Sequence, residues 1–159
     1  MSNTRNIRKI IRVILQEIDD TNNIVDKIFY HGTTKKNKEN ILQNGFITNY
    51  YMQQGLYGEG VYFYDNLKDV QIYNKGGIIE VNLKTNKNIL LVYDDVDLVE
   101  KISKIDPDSQ LYFERNGLTY EFGENYVQPF IENKKINAIY LKDSNILVVY
   151  NTNIINILN

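Results

Sequence analysis

Short runs of aromatic and β-branched residues recur along this chain, separated by segments with helical or irregular patterns. Runs of this length, bounded by Gly, Asn or Asp, are typical of β-strands. We predict strands at 27–32, 60–65, 76–83, 87–93, 124–131, 136–142 and 146–150. Because helical patterns concentrate early and strands later, with short connections, the chain is predicted to be one α+β domain of residues 1–159 with mostly antiparallel strands.

Helical spacing of apolar residues marks further segments. Residues 5–18 place isoleucines on one face and basic residues on the other, which predicts an amphipathic helix within residues 1–20. We expect this helix to pack on the domain, and the alternative is that it lies on an anionic membrane. Residues 35–45, which end at Gly45, and residues 94–105, which begin with acidic side chains, predict two more helices.

The remaining segments are shorter or lack a period. Residues 47–59 are rich in Tyr, Gln and Gly and are predicted to form a loop. Asp65 is predicted to cap a short helix that continues through Tyr73. Residues 106–117 fit either a loop or a short helix.

Composition excludes several classes of function. The chain has no cysteine, which excludes disulfides, thiolate metal sites and cysteine nucleophiles, and its single histidine excludes a histidine-rich metal site. A net charge of −2 argues against a broad phosphate-binding surface. No apolar run approaches the ~20 residues of a membrane span, and no signal-peptide pattern is present. We therefore expect a soluble, cytoplasmic protein without a metal.

Three segments carry residues suited to binding or catalysis. The first is 30–33, with the sequence YHGT, which holds the single histidine. The second is 57–63, with the sequence YGEGVYF, followed by Tyr73. The third is 124–127, with the sequence ENYV.

Each of these segments also has a purely structural explanation when taken alone. A lone histidine at the end of a strand, such as His31, is more often structural than functional. Tyr62 lies in an alternating YFY strand and fits a core position equally well. The order and spacing of the segments together are what favour function.

In that order, the three segments resemble the ADP-ribosyltransferase superfamily, in the branch with a His-Tyr-Glu triad that includes diphtheria toxin and the poly(ADP-ribose) polymerases. The resemblance is carried by HGTTKKNKENILQNGF, YGEGVYFYDN and ENYVQPFIENKKINAIYL, and it spans residues 28–142. It implies a split β-sandwich of two antiparallel sheets, with flanking helices and an NAD cleft between the sheets.

The resemblance also implies roles for individual residues, with NAD as the co-substrate. Tyr62 and Tyr73 would sandwich the nicotinamide, a flat cationic ring that aromatic faces attract. The backbone of Gly32 would hold the carboxamide, and His31 would hydrogen-bond a ribose hydroxyl. Thr33 would add a hydroxyl contact.

The resemblance assigns Glu124 as the third catalytic residue, which completes the triad with His31 and Tyr62. Loss of nicotinamide leaves positive charge on the ribose, which a nearby carboxylate stabilises. Gln128 and Glu121 remain alternatives, as does the lack of any third member, and a neutral Gln cannot offset the charge. Val70 departs from the polymerase branch, which has a small hydroxyl residue there to hold the carboxamide.

We therefore expect a mono-ADP-ribosyltransferase that cleaves NAD and passes ADP-ribose to a protein or nucleic acid. Residues 47–59 or 106–117 are the expected acceptor segments. The alternatives are an NAD- or ADP-ribose-binding pseudoenzyme, an NAD-dependent RNA 2′-phosphotransferase, and an unrelated tyrosine-rich interaction domain. The single histidine and the net negative charge argue against the phosphotransferase. In its size and lack of further domains, the chain resembles enzymes that act as toxins, effectors or phage-borne modifiers. We expect a monomer. If the protein is an effector, we expect it to work in the host cytosol.

Overall fold

The computed structural model describes residues 2–47 and 53–159, and over this range the α+β prediction is confirmed. The helices are α1 (Ser2–Asn23), α2 (Lys35–Asn44), α3 (Leu67–Val70), α4 (Asp95–Ser103), α5 (Asp108–Asn116), α6 (Tyr120–Phe122) and α7 (Gln128–Lys134). A π-helix, Gly123–Val127, joins α6 to α7, and short 3₁₀ helices span Ile24–Asp26, Gln71–Tyr73 and Thr152–Ile154.

The strands form one curled, mixed sheet. They are β1 (Phe29–Thr34), β2 (Gln53–Gly55), β3 (Gly58–Tyr64), β4 (Gly76–Leu83), β5 (Ile89–Val92), β6 (Ala138–Leu141), β7 (Ile146–Val149) and β8 (Ile155–Ile157). Their order is β5-β6-β7-β3-β1-β4-β8, and β2 pairs with β3 as a hairpin. The expected split β-sandwich of two antiparallel sheets is not confirmed: the described strands form one continuous sheet, and β5 pairs with β6 in parallel. The parallel pair follows from the long crossover through α4–α7, which returns the chain in the same direction.

At the centre of the sheet, strands β1 and β3 share a single register pair. Tyr30 of β1 faces Tyr64 of β3, and this is the only register pair between these strands. By contrast, β1 pairs with β4 along its whole length, and β3 pairs with β7 over four residues. We call this narrow β1–β3 junction the seam. It divides the sheet into one half made of β1, β4 and β8 and another made of β3, β7, β6 and β5.

Apolar side chains cover both faces of the sheet around β6, because successive side chains of this strand point into two different cores. Ala138 and Tyr140 face a core that contains Phe29, Phe63 and Ile41. Ile139 and Leu141 face a second core, to which helices contribute Leu98, Ile102, Phe122, Val127 and Ile131. Because both faces are covered, every residue of β6 is buried.

The strand predicted at 124–131 is wrong, because this segment is helical. Val127, Phe130 and Ile131 are buried at helical spacing, on the face that packs into the second core. A short apolar run fits a strand or a buried helix equally well, and here the tertiary packing selects the helix.

Two local predictions need correction. Asn66, rather than Asp65, caps α3, since its side-chain oxygen accepts from the amide of Asp69 at 2.9 Å. Asp65 instead accepts a hydrogen bond from the hydroxyl of Tyr140 and pairs with Lys27 at 3.3 Å. The predicted loop at 47–59 also contains β2 and the start of β3, while its residues 48–52 lie outside the described part of the chain.

The expected packing of the N-terminal helix on the domain is wrong for the side chains that the structure describes. The isoleucines that define its apolar face are about half exposed, with Ile7 at 53 % and Ile10 at 57 %. Among the described residues, no helix is both long and apolar enough to cross a membrane.

Candidate functional site

A cleft of about 330 Å³ opens beside the seam, where β1 and β3 separate. It lies among His31, Gly32, Gly55, Leu56, Tyr57, Tyr62, Tyr64, Tyr73, Tyr120 and Ile146. Four of the residues predicted to bind NAD are in this set: His31, Gly32, Tyr62 and Tyr73. The structure therefore brings together residues from two of the three sequence motifs.

His31 joins the two halves of the sheet across the seam. Its Nδ1 lies 3.0 Å from the carbonyl oxygen of Tyr62. A carbonyl can only accept, so Nδ1 carries the proton in the neutral ring, and Nε2 is left as an acceptor. The ring also packs edge-on against Phe46 and beside Phe63, and this burial lowers the pKa of His31 below 6.5. At neutral pH the site thus holds an uncharged imidazole with an acceptor nitrogen.

Tyr62 is fixed by the hairpin that precedes it. Its hydroxyl donates to the carbonyl of Gly58 at 2.8 Å and accepts from the amide of Tyr57 at 3.2 Å. Both bonds hold the tight turn between β2 and β3 against the ring. The hydroxyl of Tyr62 is consequently used within the protein, and the ring itself is what the residue offers to the cleft.

Tyr73 stacks on Tyr64 rather than on Tyr62. The ring centroids of Tyr64 and Tyr73 are 5.4 Å apart, with 19° between the planes. Tyr73 also explains the glycine at position 32, because a Cβ there would lie 2.8 Å from the main-chain carbon of Tyr73. Gly32 is therefore required for packing between β1 and the 3₁₀ turn, whatever the cleft binds.

The hydroxyls of Tyr57, Tyr62 and Tyr64 in the cleft stay protonated near neutral pH, because the pKa of each is raised. Burial raises the pKa of Tyr62 to about 12. Burial, together with a hydrogen bond to Asp95 at 2.8 Å, raises the pKa of Tyr57 further. Burial and the Tyr73 hydroxyl do the same for the pKa of Tyr64. None of these three side chains is suited to act as a general base near pH 7.

The other predicted residues do not line the cleft. Thr33 lies on β1, where its carbonyl accepts from the amide of Lys75 at 3.0 Å. Glu124 is exposed on the π-helix, and Glu121 accepts a hydrogen bond from Tyr112 at 2.9 Å. Of the three candidates for the third position, Gln128 forms a hydrogen bond with β3, where its side-chain oxygen accepts from the amide of Glu59 at 2.8 Å.

Six cleft residues were not among those predicted to bind NAD. They are Gly55, Leu56, Tyr57, Tyr64, Tyr120 and Ile146, of which the first three lie in the predicted acceptor segment 47–59. Ile146 faces Tyr64 in the β3–β7 register, so locating it requires knowledge of strand pairing. Tyr120 begins α6 and is 64 % exposed, and nothing in its local sequence distinguishes it from other surface tyrosines. The second motif itself contained the signal for Tyr57, which precedes the glycine of the turn.

The lining has a clear chemical character. It offers aromatic faces, a neutral histidine and hydroxyl dipoles, and among the described residues around it there is no carboxylate, lysine or arginine. Such a surface suits a flat ring that carries delocalised positive charge, which aromatic faces attract. The volume is at the lower end of the ~300–1,000 Å³ of small-molecule sites, which fits one end of a dinucleotide.

Within the part of the chain that the structure describes, no group of three or more His, Asp or Glu residues is placed to hold a metal ion. Models of known protein families and the curated proteins provide no match to this chain.

Proposed function

We propose that this protein is a mono-ADP-ribosyltransferase that binds NAD in the cleft beside the seam and transfers ADP-ribose to a protein or nucleic acid. One observation carries the proposal: His31, Gly32, Tyr62 and Tyr73, which the resemblance associates with NAD, line the same cleft. These residues lie on β1, β3 and the 3₁₀ turn at 71–73, and their positions in the sequence alone do not require them to meet in one cleft.

In this proposal the aromatic rings hold nicotinamide. Tyr62, Tyr64 and Tyr73 all line the cleft, and the Tyr64–Tyr73 stack supplies a second aromatic surface beside Tyr62. Nicotinamide bears positive charge while it is attached to ribose and becomes neutral when it leaves. The rings therefore bind the NAD form more strongly than the free product through the cation–π interaction.

His31 acts as an acceptor in this proposal. With its Nδ1 proton engaged by the Tyr62 carbonyl, its Nε2 accepts a hydrogen bond from a ribose hydroxyl. The lowered pKa keeps the ring neutral, so that it does not repel positive charge that develops on the sugar. It positions NAD and transfers no proton.

The acceptor would approach from the β2–β3 side. Leu56 and Tyr57, which belong to the predicted acceptor segment 47–59, line the cleft. Residues 106–117 fold mainly as α5 and contribute nothing to the lining. The first segment is therefore favoured as the acceptor-facing one.

A second candidate function is an NAD-binding module that does not cleave its ligand. It is favoured by one specific observation: no carboxylate lines the described part of the cleft, and Glu124 lies exposed on the π-helix. Transferase activity needs stabilisation of the ribose cation, and Glu124 is the carboxylate proposed to provide it. An RNA 2′-phosphotransferase is less favoured, since the described lining has one histidine and no Lys or Arg to hold phosphate.

The deciding experiment measures nicotinamide release from NAD by the purified protein, together with transfer of labelled ADP-ribose to components of a cell lysate. The variants are Glu124→Gln, Glu121→Gln and Gln128→Ala, with Glu100→Gln on the exposed face of α4 as the matched control. We expect wild type and Glu100→Gln to release nicotinamide and label an acceptor, and Glu124→Gln to lose at least about a hundredfold in rate.

Binding is measured in parallel, so that the two candidates are separated. NAD at about 100 times its dissociation constant adds ~2.7 kcal/mol to the free energy of unfolding. Stabilisation by NAD without turnover by wild type supports the binding module. If NAD neither stabilises the protein nor is cleaved, both functions are wrong and the cleft serves another ligand.

A further inference from the structure

The N-terminal helix α1 exposes an unpartnered apolar face. Ile7, Ile10, Ile11 and Ile14 recur at helical spacing, and each is about half exposed, between 49 and 57 %. Leu15, next to this stripe, is 60 % exposed. Isolated apolar side chains are common on protein surfaces, but a continuous stripe of this kind marks a site of interaction.

The charge around this stripe is strongly one-sided. The first sixteen residues contain four basic side chains and no acidic one, whereas the net charge of the whole chain is −2. The rest of the protein therefore carries a net charge of −6. Arg8, Lys9 and Arg12 occupy the turns between the isoleucines and are exposed.

The stability of the helix itself does not explain this arrangement. Helices are stabilised by acidic residues near the N-terminus and basic residues near the C-terminus. In α1 the order is reversed: the basic residues lie in the N-terminal half, while Glu17, Asp19 and Asp20 lie in the C-terminal half. The basic cluster thus gains no stabilisation from the helix dipole, whereas an external negative charge would favour it.

We infer that α1 binds the surface of an anionic lipid bilayer. The isoleucine stripe enters the boundary between headgroups and acyl chains, and the helix axis lies in the plane of the membrane. The basic side chains contact lipid phosphates, and each adds attraction to an anionic surface. The negative body of the protein is repelled by the same surface, which favours contact through α1 alone.

The test is co-sedimentation of the full chain with vesicles. One set is pure phosphatidylcholine, and the other contains about one quarter phosphatidylserine. We expect binding to the second set only, weakened by salt because the attraction is screened.

Two double variants separate the apolar and charged contributions. Ile7→Ser/Ile11→Ser should weaken binding by about a hundredfold or more, and Arg8→Gln/Arg12→Gln by about tenfold or more. The matched controls are Val96→Ser/Leu111→Ser, at exposed apolar positions on α4 and α5, and Lys87→Gln/Lys134→Gln, at exposed basic positions. Both controls should bind like wild type, and circular dichroism checks that every variant keeps its helix content.

Two results would overturn the inference. One is that wild type does not sediment with the phosphatidylserine vesicles, or that the α1 variants sediment as well as wild type. The other is that light scattering shows a dimer which the Ile7→Ser/Ile11→Ser variant dissociates, since the stripe would then bind a second copy of the chain.

Discussion

His31 is the side chain whose environment is most fully defined in the cleft. It is buried between two phenylalanines and bonded through Nδ1 to the carbonyl of Tyr62. Because burial lowers its pKa, the folded protein binds a proton at this ring less readily than the unfolded chain does. Stability must therefore depend on pH through this one residue.

The sign of that dependence is fixed by the direction of the shift. Well above 6.5, the pKa of the histidine in the unfolded chain, the ring is neutral in both states, and His31 causes no loss of the free energy of unfolding. As pH falls below 6.5 the unfolded chain is protonated first, so the free energy of unfolding decreases until the pH passes the lowered pKa of the folded state.

We expect the free energy of urea unfolding of wild type to fall between about pH 7.5 and about pH 5.5, because His31 takes up a proton in the unfolded chain more readily than in the folded protein. His31→Asn, which removes the only histidine, should change by no more than a few tenths of a kcal/mol over the same interval. An equal loss in both proteins would mean that His31 is not the group responsible.

Residues that line the cleft could be identified from the sequence where a motif was local. His31 and Gly32 are adjacent, and Tyr62 lies in an unbroken strand, so the motif specified them directly. Ile146 depends on the pairing of β7 with β3, and Tyr120 on the approach of α6. Such contacts between distant segments leave no trace in local spacing.

The π-helix Gly123–Val127 is the element that bounds the β2–β3 hairpin. Gly123 packs so closely against the turn that a Cβ would lie 2.5 Å from the carbonyl oxygen of Gly55 and 2.9 Å from that of Leu56. Both of those residues line the cleft. The position of this helix therefore determines one wall of the site.

We expect Gly123→Ala to destabilise the protein by about 1–3 kcal/mol, because the added methyl group meets backbone atoms that have no room to move. Asn125→Ala, at an exposed position of the same helix, is the matched control and should lie within about 0.5 kcal/mol of wild type. Urea unfolding measures both. Equal stabilities for the two variants would show that the contact at Gly123 is looser than described.

Elements with a clear period were the ones that the sequence could predict. Strand β4 alternates between buried and partly exposed residues, and α4 has its acidic start and an N-cap at Asp94. Residues 124–131 were predicted as a strand, but they lie in the helical segment 123–134, which has few apolar residues and begins as a π-helix without a side-chain cap. Only the second core decides its conformation.

For the molecule as a whole, the α+β class followed from the order of patterns, but the sheet topology did not. The parallel β5–β6 pair and the single-pair seam arise from contacts between strands far apart in sequence. The resemblance implied a cleft between two sheets, whereas the observed cleft opens at the weak junction of one sheet.

This junction leads to a prediction that rests on the proposed NAD binding. A ligand that contacts both β1 and β3 should slow amide hydrogen exchange in both strands, since opening at the seam would break its contacts. Strand β5, at the edge of the sheet, contributes no residue to the described lining of the cleft, so it should exchange at an unchanged rate and serves as the internal control. Mass spectrometry with and without NAD measures this. Protection spread equally over β5 and the seam, at a concentration where binding is established, would contradict it.

Because Tyr30 and Tyr64 are the only register pair across the seam, the angle between the two halves of the sheet is set by what packs on their faces. A substitution in either core, far from any ligand, can therefore change the width of the cleft without altering a single residue that lines it. In such a fold, the affinity for a ligand in the cleft depends on how rigidly the two halves of the sheet are held at the seam, as well as on the groups that contact the ligand.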